Sequence, residues 1–590
     1  MCGIWFYANP TKPEDARSAA RREDFFRLAH RGPDYSHYQV YPAAGMAIGF
    51  HRLAIVRPGV KGHQPFVREI GGRTVILMCN GEIYNWKELC AGGVDRLGSD
   101  CEVLMELYLR GRHLFLHAVE HQVKGEFAFV LVELDALGAV SFVMAGRDKV
   151  GVRPLYVSTG SAGSGSDGSG SAGSGSDASD GLLLTSELKG AMSYPGPMRE
   201  LPPGEVWTWS AGMEGLFLLA KHEMTTRLYN TATLPVEEGE RDKKGLLFGV
   251  QDAAVAAVRR RLEADRPLTF LLSGGVDSSL VAALGARLLG RPIRTFCCGL
   301  QVDGVAVGRD LEYAREVAEW IGSDHTEVLF TKEEALAAIP DVVRTVESWD
   351  TTTVRASVGQ YLVCRWIGQN TDGRVVMVGE GPDEVCSSYL FNWYAPSGEA
   401  LDESAREYVR RIHLYDARRA DRCIARWGLE ARVPFLDPEF IQAYWRIPGE
   451  WRMPAWRGIE KWWLREAFRP SGSSRGLLPE RVRVRTKDAF SDSISGQVSW
   501  TTMIQQWIEE TGIVTDEEMA GAAETYPYQT PATKEAYWYR RLFCEVVGAE
   551  RQDVLPGYWQ PRWNAAGEVH GYVDPSARTL GVYETLVTPL

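Results

Sequence analysis

Three short stretches carry the residue types that do chemistry. The chain begins MCGIWFYA, with a thiol directly behind the initiator methionine. A thiol on an N-terminal residue has a base built in, because an α-amine has an ordinary pKa of about 8 and is partly neutral near pH 7. This reading requires loss of Met1, which the small side chain of Cys2 permits. Acyl transfer at such a site further needs an oxyanion hole and clamps for the substrate. Asn80 and Gly81 in CNGEIYN offer a side-chain amide and a backbone N–H. Arg52 in HRLAIV can grip a carboxylate bidentately, and Asp100 in GSDCE can bind an ammonium. Taken singly, each has a plainer reading: a small buried thiol, a surface ion pair for Arg52, a helix N-cap for Asp100.

The second stretch is SGGVDSS, Ser273 to Ser279, between the apolar run LTFLL and the helical SLVAALGARLL. Glycines let a backbone approach a phosphate closely, and a helix N-terminus offers unpaired N–H groups there. The loop is neither a Walker A motif nor a dinucleotide G-x-G-x-x-G. Asp277 by itself repels phosphate, so its presence makes sense if it holds Mg2+. A tight turn with a Ser or Asp cap is the plainer alternative. The third stretch is EGPDE, Glu380 to Glu384, directly after VVMVG. Ligands of open α/β sheets gather at the carboxyl ends of strands, and both loops leave strands at that end. Glu380 suits a general base and Asp383 a second metal ligand, with a solvated acidic turn as the alternative.

The elements that must position these groups differ along the chain. Up to about residue 210, aromatic and β-branched runs (CGIWFYA, GMAIGFHRLAIV, TVILMCNGEIYN, GEFAFVLVELD, AVSFVMAGRD, GEVWTWS) alternate with polar turns. They predict antiparallel sheets, with helices over Asp15 to Ala29 and Cys101 to Leu109. Residues 158–181 are nearly pure Gly, Ser, Ala and Asp between two strand-like runs, PLYVS and GLLLTSEL. They read as an expanded, flexible hairpin tip, because loop closure becomes costlier only slowly with length. An interdomain linker is the competing reading. After about residue 245, strand and helix alternate (LTFLL, IRTFCCGL, HTEVLFT, VVMVG), which predicts βαβ units and a doubly wound parallel sheet. From about Ala400 the pattern is mostly helical. The domains expected are 1–212, a connection at 213–245, and 246–590.

Composition narrows the partners. With 590 residues the chain needs more than one core, and its net charge of -12 argues against nucleic acid or an anionic membrane surface. No apolar run is long enough to span a bilayer, and no signal peptide is visible. The ten cysteines form no C-x-x-C pair, which argues against zinc and for a reducing, cytoplasmic setting.

MCGIW, HRGPD, HRLAIV, NGEIYN, SDCE, GEFAF and GRDKVGVRPLY together resemble a class II, N-terminal-nucleophile glutamine amidotransferase. SGGVDSS resembles the PP-motif of ATP pyrophosphatases. With TFCCGL, ESWDTTTVRAS, GEGPDEV, GLEARVPFLD and RTKDAFSD it resembles the synthetase domain of the glutamine-hydrolysing asparagine synthetase family. The resemblance implies an αββα N-terminal sandwich and an ATP-pyrophosphatase domain with a helical C-terminal part. It implies that Cys2 releases ammonia from glutamine, which Arg52, Leu53, Ile55, Val56, Glu82 and Asp100 hold, while Asn80 and Gly81 form the oxyanion hole. For ATP with Mg2+ it implies Leu272, Ser273, Gly274, Gly275, Asp277, Ser278, Cys298, Val378, Gly379 and Lys487. For aspartate it implies Thr352, Thr353 and Arg355. Asp277 and Asp383 are the implied metal ligands and Glu380 the implied base. It further implies an internal tunnel for ammonia and leaves a homodimer open. The chain departs from the family pattern at Pro382 (usually Ser), at Cys386-Ser387-Ser388 (commonly Phe-Gly-Gly) and at Ser493 (commonly Gly). These departures leave a related carboxylate acceptor as the alternative to aspartate.

Overall fold

The computed structural model describes residues 1–158, 181–213, 215–302, 304–470, 475–486, 495 and 498–575. Lys487, Ser493 and the Gly/Ser loop between Ser158 and Gly181 lie outside the described residues. The chain divides into two compact units, Met1–Thr226 with Cys544–Val554, and Arg227–Phe543 with Leu555–Leu590.

The first unit is built on two antiparallel six-stranded sheets. One has the order β10-β8-β9-β1-β3-β2, from β1 (Gly3–Ala8), β2 (Tyr35–Tyr41), β3 (Met46–Arg52), β8 (Tyr156–Ser158), β9 (Leu182–Thr185) and β10 (Met198–Glu200). The other has the order β12-β11-β7-β6-β5-β4, from β4 (Phe66–Ile70), β5 (Arg73–Ile83), β6 (Gly125–Leu134), β7 (Val140–Arg147), β11 (Glu205–Gly212) and β12 (Gly215–Glu223). Side chains alternate across a strand, so Ile4, Phe6 and Ala8 of β1 enter one core with Ile48, Met78, Val130 and Trp209. Burial of each Ile, Phe, Met or Val among them contributes about 1.5–3 kcal/mol. Helices cover the outer faces. Phe25 of Ala19–Phe26 lies against Gly49, and Phe115 of Arg112–His121 packs edge-on against Phe129 at 5.4 Å. This is the αββα sandwich. The runs flanking the Gly/Ser loop pair as a hairpin, Tyr156 opposite Thr185.

Two local expectations differ. The helix expected over Asp15 to Ala29 is interrupted, because Ser18 takes an extended backbone (ψ 132) between a 3-10 turn, Pro13–Arg17, and the helix Ala19–Phe26. The Ser18 backbone N–H closes the 3-10 turn on the Asp15 carbonyl at 3.2 Å. The stretch 213–245, read as a connection, instead contains β12, paired along β11, and the helix Val236–Arg241. Cys544–Val554 returns to the first unit, where Arg551 donates to the carbonyls of Ala191 (2.9 Å) and Tyr194 (2.6 Å).

The second unit holds a parallel sheet ordered β16-β14-β13-β17-β18, with the short β15 (Val305–Ala306) turned back on β14. Its strands are β13 (Leu268–Leu271), β14 (Arg294–Val302), β16 (Asp324–Thr331), β17 (Val375–Met377) and β18 (Glu430–Arg432). The winding reverses between β13 and β17, so a crevice must open at their carboxyl ends. Strand β18 is three residues long, two of them charged, and carries no hydrophobic signature. Its charges are buried as a pair, with Arg432 Nε donating to Glu430 Oε1 at 2.9 Å. Among the described residues, no helix is long and apolar enough to cross a membrane.

His51 of β3 is fully buried, stacked on Phe25 at 3.9 Å, with Nε2 3.0 Å from the Phe25 carbonyl. Burial pushes its pKa from 6.5 down to about 4. The unfolded chain therefore binds the proton more readily, so this contribution is present above about pH 6.5 and is lost as pH falls towards 4. The loss is at most on the order of 3 kcal/mol. His51→Gln is expected to flatten the fall in urea midpoint between pH 6.5 and 4. An unchanged slope would assign the acid loss to other groups, such as His30, whose pKa burial also lowers.

Candidate active sites

Strand β1 is hydrogen-bonded on both sides, to β3 and β9, so the residue just ahead of it cannot fray. That residue is Cys2. Its backbone N donates to Asn80 Oδ1 at 2.8 Å, its carbonyl accepts from Arg31 Nε at 2.8 Å, and its Sγ lies 3.7 Å from the Leu53 carbonyl. Arg31 is in turn held by buried Glu187 at 2.6 Å. Asn80 thus spends its oxygen on Cys2, and its Nδ2 is buried without a hydrogen-bond partner. A buried donor left unmade costs about 1–3 kcal/mol, which an oxyanion beside Cys2 would recover. The next residue, Gly81, has φ +138, and a Cβ there would sit 1.9 Å from the Glu126 carbonyl. Only glycine fits that approach.

Arg52 ends β3 and is buried, donating to the carbonyls of Gly59 and Arg57 at 2.8 Å each. It therefore holds the loop carrying Leu53, Ile55 and Val56, all three buried. Burial lowers its pKa, against the opposing pull of Cys2, Cys101 and Asp100. Asp100 is buried and accepts from the backbone N of Ile83 at 2.7 Å. The helix cap at this corner is its neighbour Ser99, which accepts from Cys101 N. Glu82, on β5, is buried too. Met1 is fully buried, its Sδ 2.7 Å from Arg153 Nη1. With Met1 in place the nitrogen of Cys2 is an amide and cannot act as a base.

In the second unit the loops after β13 and β17 meet at the crevice. The Ser273 N–H donates to Ser278 Oγ at 3.1 Å, closing SGGVDSS onto the first turn of the helix Val276–Leu289. Gly274 takes φ +72. A Cβ on Gly379 would lie 2.6 Å from Ser278 N, so the two loops touch through backbone. A 140 Å³ cavity is lined by Ser273, Gly275, Asp277 and Ser278 from the first loop and by Gly379, Glu380 and Asp383 from the second. Leu271, Gln360, Gly381, Glu384, Tyr389, Asp416 and Arg419 complete its wall.

Glu380 accepts from Gln360 Nε2 at 2.8 Å and faces Arg419 at 3.8 Å. Burial raises its pKa, with Arg419 opposing, which moves it towards the range of a useful general base. The residue sequence reasoning missed is Lys461. It is 3% exposed, has a left-handed backbone (φ 57), and pairs with both Asp383 Oδ1, at 2.7 Å, and Asp277. Burial alone would lower its pKa, but the two carboxylates outweigh it and raise it. A lone lysine before two tryptophans carries no pattern of its own. Arg31 stood in the quoted HRGPD motif without a role, and nothing marked Glu187 in TSEL.

The remaining residues sit apart from the cavity lining. Leu272 and Val378 are buried and spend their N–H groups on Phe296 (2.8 Å) and Arg432 (3.1 Å). Cys298 is buried, its thiol pushed up to about 12 by desolvation, so it packs rather than reacts. Thr353 donates N and Oγ1 to Asp350 Oδ2 at 2.7 Å each, capping the helix Thr351–Asn370. Thr352 Oγ1 is buried without a hydrogen-bond partner. Arg355 is already gripped twice, by Glu535 (2.6 and 2.7 Å) and by Asp574 (3.1 and 3.3 Å).

A family model for a glutamine amidotransferase domain matches residues 1–211, and one for asparagine synthase matches residues 249–400 and 395–567. The glutamine-hydrolysing asparagine synthetases of Pongo abelii and Homo sapiens are each 37% identical to this chain, over 610 and 615 residues. The Gallus gallus protein is 36% identical over 611 residues. Each of these alignments covers 100% of both chains. The chain belongs to the glutamine-hydrolysing asparagine synthetase family. Within that family its own departures now have geometry. Pro382 opens a one-turn helix, Pro382–Val385, at a position whose N–H has no helical partner, so little is lost. Ser388 Oγ donates to Asp383 Oδ1. Ser387 takes φ +55, and its buried hydroxyl has no hydrogen-bond partner. A left-handed backbone at a non-glycine costs about 1–2 kcal/mol. Ser387→Gly is therefore expected to raise the urea midpoint at constant slope, by about 1 kcal/mol of stability. A lower midpoint would show that side-chain packing outweighs the backbone strain.

Proposed function

We propose that this chain makes asparagine from aspartate, with glutamine as nitrogen donor and ATP cleaved to AMP and diphosphate. The observation that carries this reading is the meeting of SGGVDSS and GEGPDE at the sheet's switch point, in the chain whose Cys2 lies beside an unpartnered amide donor. In the first unit, Cys2 freed of Met1 attacks the side-chain amide carbon of glutamine while its own α-amine takes the thiol proton. Asn80 Nδ2 and the Gly81 N–H receive the oxyanion, and Arg52, Glu82 and Asp100 orient the amino acid. Ammonia leaves, and water releases glutamate from the thioester.

In the second unit, the β-carboxylate of aspartate attacks the α-phosphorus of ATP, giving β-aspartyl-AMP and diphosphate. Ammonia then displaces AMP, and Glu380 takes the proton shed by the incoming nitrogen. The SGGVDSS backbone and its serine hydroxyls cradle the phosphates. Asp277 and Asp383 fit Mg2+, because they are hard carboxylates from facing loops with no sulfur or imidazole among them, and phosphate oxygens and water complete such a shell. Mg2+ held by these two carboxylates would neutralise phosphate charge. Thr352 and Thr353 are the aspartate candidates that this reading favours. Arg355 serves it by holding Glu535 and Asp574 in place. Ten cysteines without a disulfide support a cytoplasmic setting.

Incubation with aspartate, glutamine, ATP and Mg2+ is expected to yield asparagine, AMP and diphosphate; ADP in place of AMP would defeat the proposal. A panel of other carboxylates tests the alternative acceptor. Cys2→Ala is expected to lower glutamine-dependent synthesis by at least about 10³-fold while leaving ammonia-dependent synthesis intact. Loss of both at unchanged stability would contradict the separate roles. Intact-mass measurement of active protein is expected to show Cys2 as the first residue.

A further inference from the structure

Lys461 is a buried ammonium set between carboxylates of two different loops. It is 3% exposed, its backbone is left-handed, and its amine bridges Asp277 of the first loop and Asp383 of the second. Those carboxylates come from residues 106 apart in sequence (383 minus 277). Facing each other across a small cavity, they would repel without a cation between them. They are also the residues that fit Mg2+, so the ammonium and the metal would draw on the same two carboxylates.

We propose that Lys461 is a resident counter-ion that holds the metal's place in the resting protein and yields Asp277 and Asp383 only when ATP brings phosphates to receive its ammonium. This rests on the reading of the cavity as an Mg2+–ATP site and adds an order of events to it. Lysine suits the task because its charge is compact and sits on a flexible four-carbon stem, so the amine can pass from carboxylate to phosphate without backbone movement. The Ser388 hydroxyl donates to the same Asp383 Oδ1. That neutral donor keeps Asp383 aimed while the ammonium leaves. Metal and nucleotide then bind as one event, and Mg2+ alone finds both carboxylates engaged.

The test is a titration of the full-length protein with MgCl2 alone, followed by calorimetry and thermal unfolding. The parent chain is expected to show no saturable binding below 10 mM and no shift in Tm (a range of about 10 mM brackets weak hard-cation sites). Lys461→Met is expected to gain a Mg2+-dependent rise in Tm, and the double variant Lys461→Met/Asp277→Asn to lose it again. Saturable Mg2+ binding by the parent chain, or a folded Lys461→Met that gains none, overturns the proposal. If the variants fail to fold, acylation of lysines mapped by peptide mass decides it in the parent. Labelling of Lys461 unchanged by Mg2+ alone but changed by Mg2+ with ATP supports the counter-ion role, and a change with Mg2+ alone refutes it. Failure of the parent to form AMP from ATP, aspartate and ammonia would defeat the reading of the site instead, and the Mg2+ titration would still report on Lys461.

Discussion

Strand β1 is bonded along its length to β3 on one side and, from Trp5 to Ala8, to β9 on the other, and the chemistry of the first unit depends on that pairing. A chain terminus ordinarily frays, because its residues pay conformational entropy for few contacts. Here the ladder begins at Gly3, one residue behind the thiol, and Arg31 and Asn80 hold the backbone of Cys2 itself. The second unit uses the same constraint in parallel form. Pairing of β13 with β17 brings together two loops more than a hundred residues apart, and Gly379 lets them touch.

Charge is buried in both units, in several places as matched groups. Arg31 lies with Glu187, Arg153 with Glu126, Arg355 with Glu535 and Asp574, and Lys461 with Asp277 and Asp383. Ion pairs of this kind add little net stability, because desolvation consumes most of the Coulombic gain, but removal of one partner leaves a costly lone charge. They work as positioning devices. The cavity of the second unit has a further use for them, since Glu380 sits between burial, which raises its pKa, and Arg419, which lowers it.

Much of this was legible in the chain. Antiparallel sheets follow from the aromatic and β-branched runs, their αββα layering from the family resemblance, and the hairpin flanking the Gly/Ser loop from strand-like sequence on both sides. Cys2, Asn80, Gly81, Asp277, Glu380 and Asp383 stood in motifs whose residue types have few other uses together. What escaped were residues without a local pattern. Strand β18 is three residues long and pairs with β17, its two charges buried against each other. Cys544–Val554 joins the first unit through carbonyl contacts of Arg551, which no periodicity announces.

By itself the sequence singled out the candidate reactive groups, because a thiol behind Met1, glycines before a helix and paired carboxylates after a strand are patterns readable in one dimension. It also determined the two fold classes, since hydrophobic period is local. Tertiary structure alone decided who faces whom. That Lys461 lies between Asp277 and Asp383, that Arg355 is taken by Glu535 and Asp574, and that Ser99 rather than Asp100 caps its helix all depend on approach through space. The physical reason is that a charge chooses its partner by distance and burial, and neither is encoded in the spacing of letters along the chain.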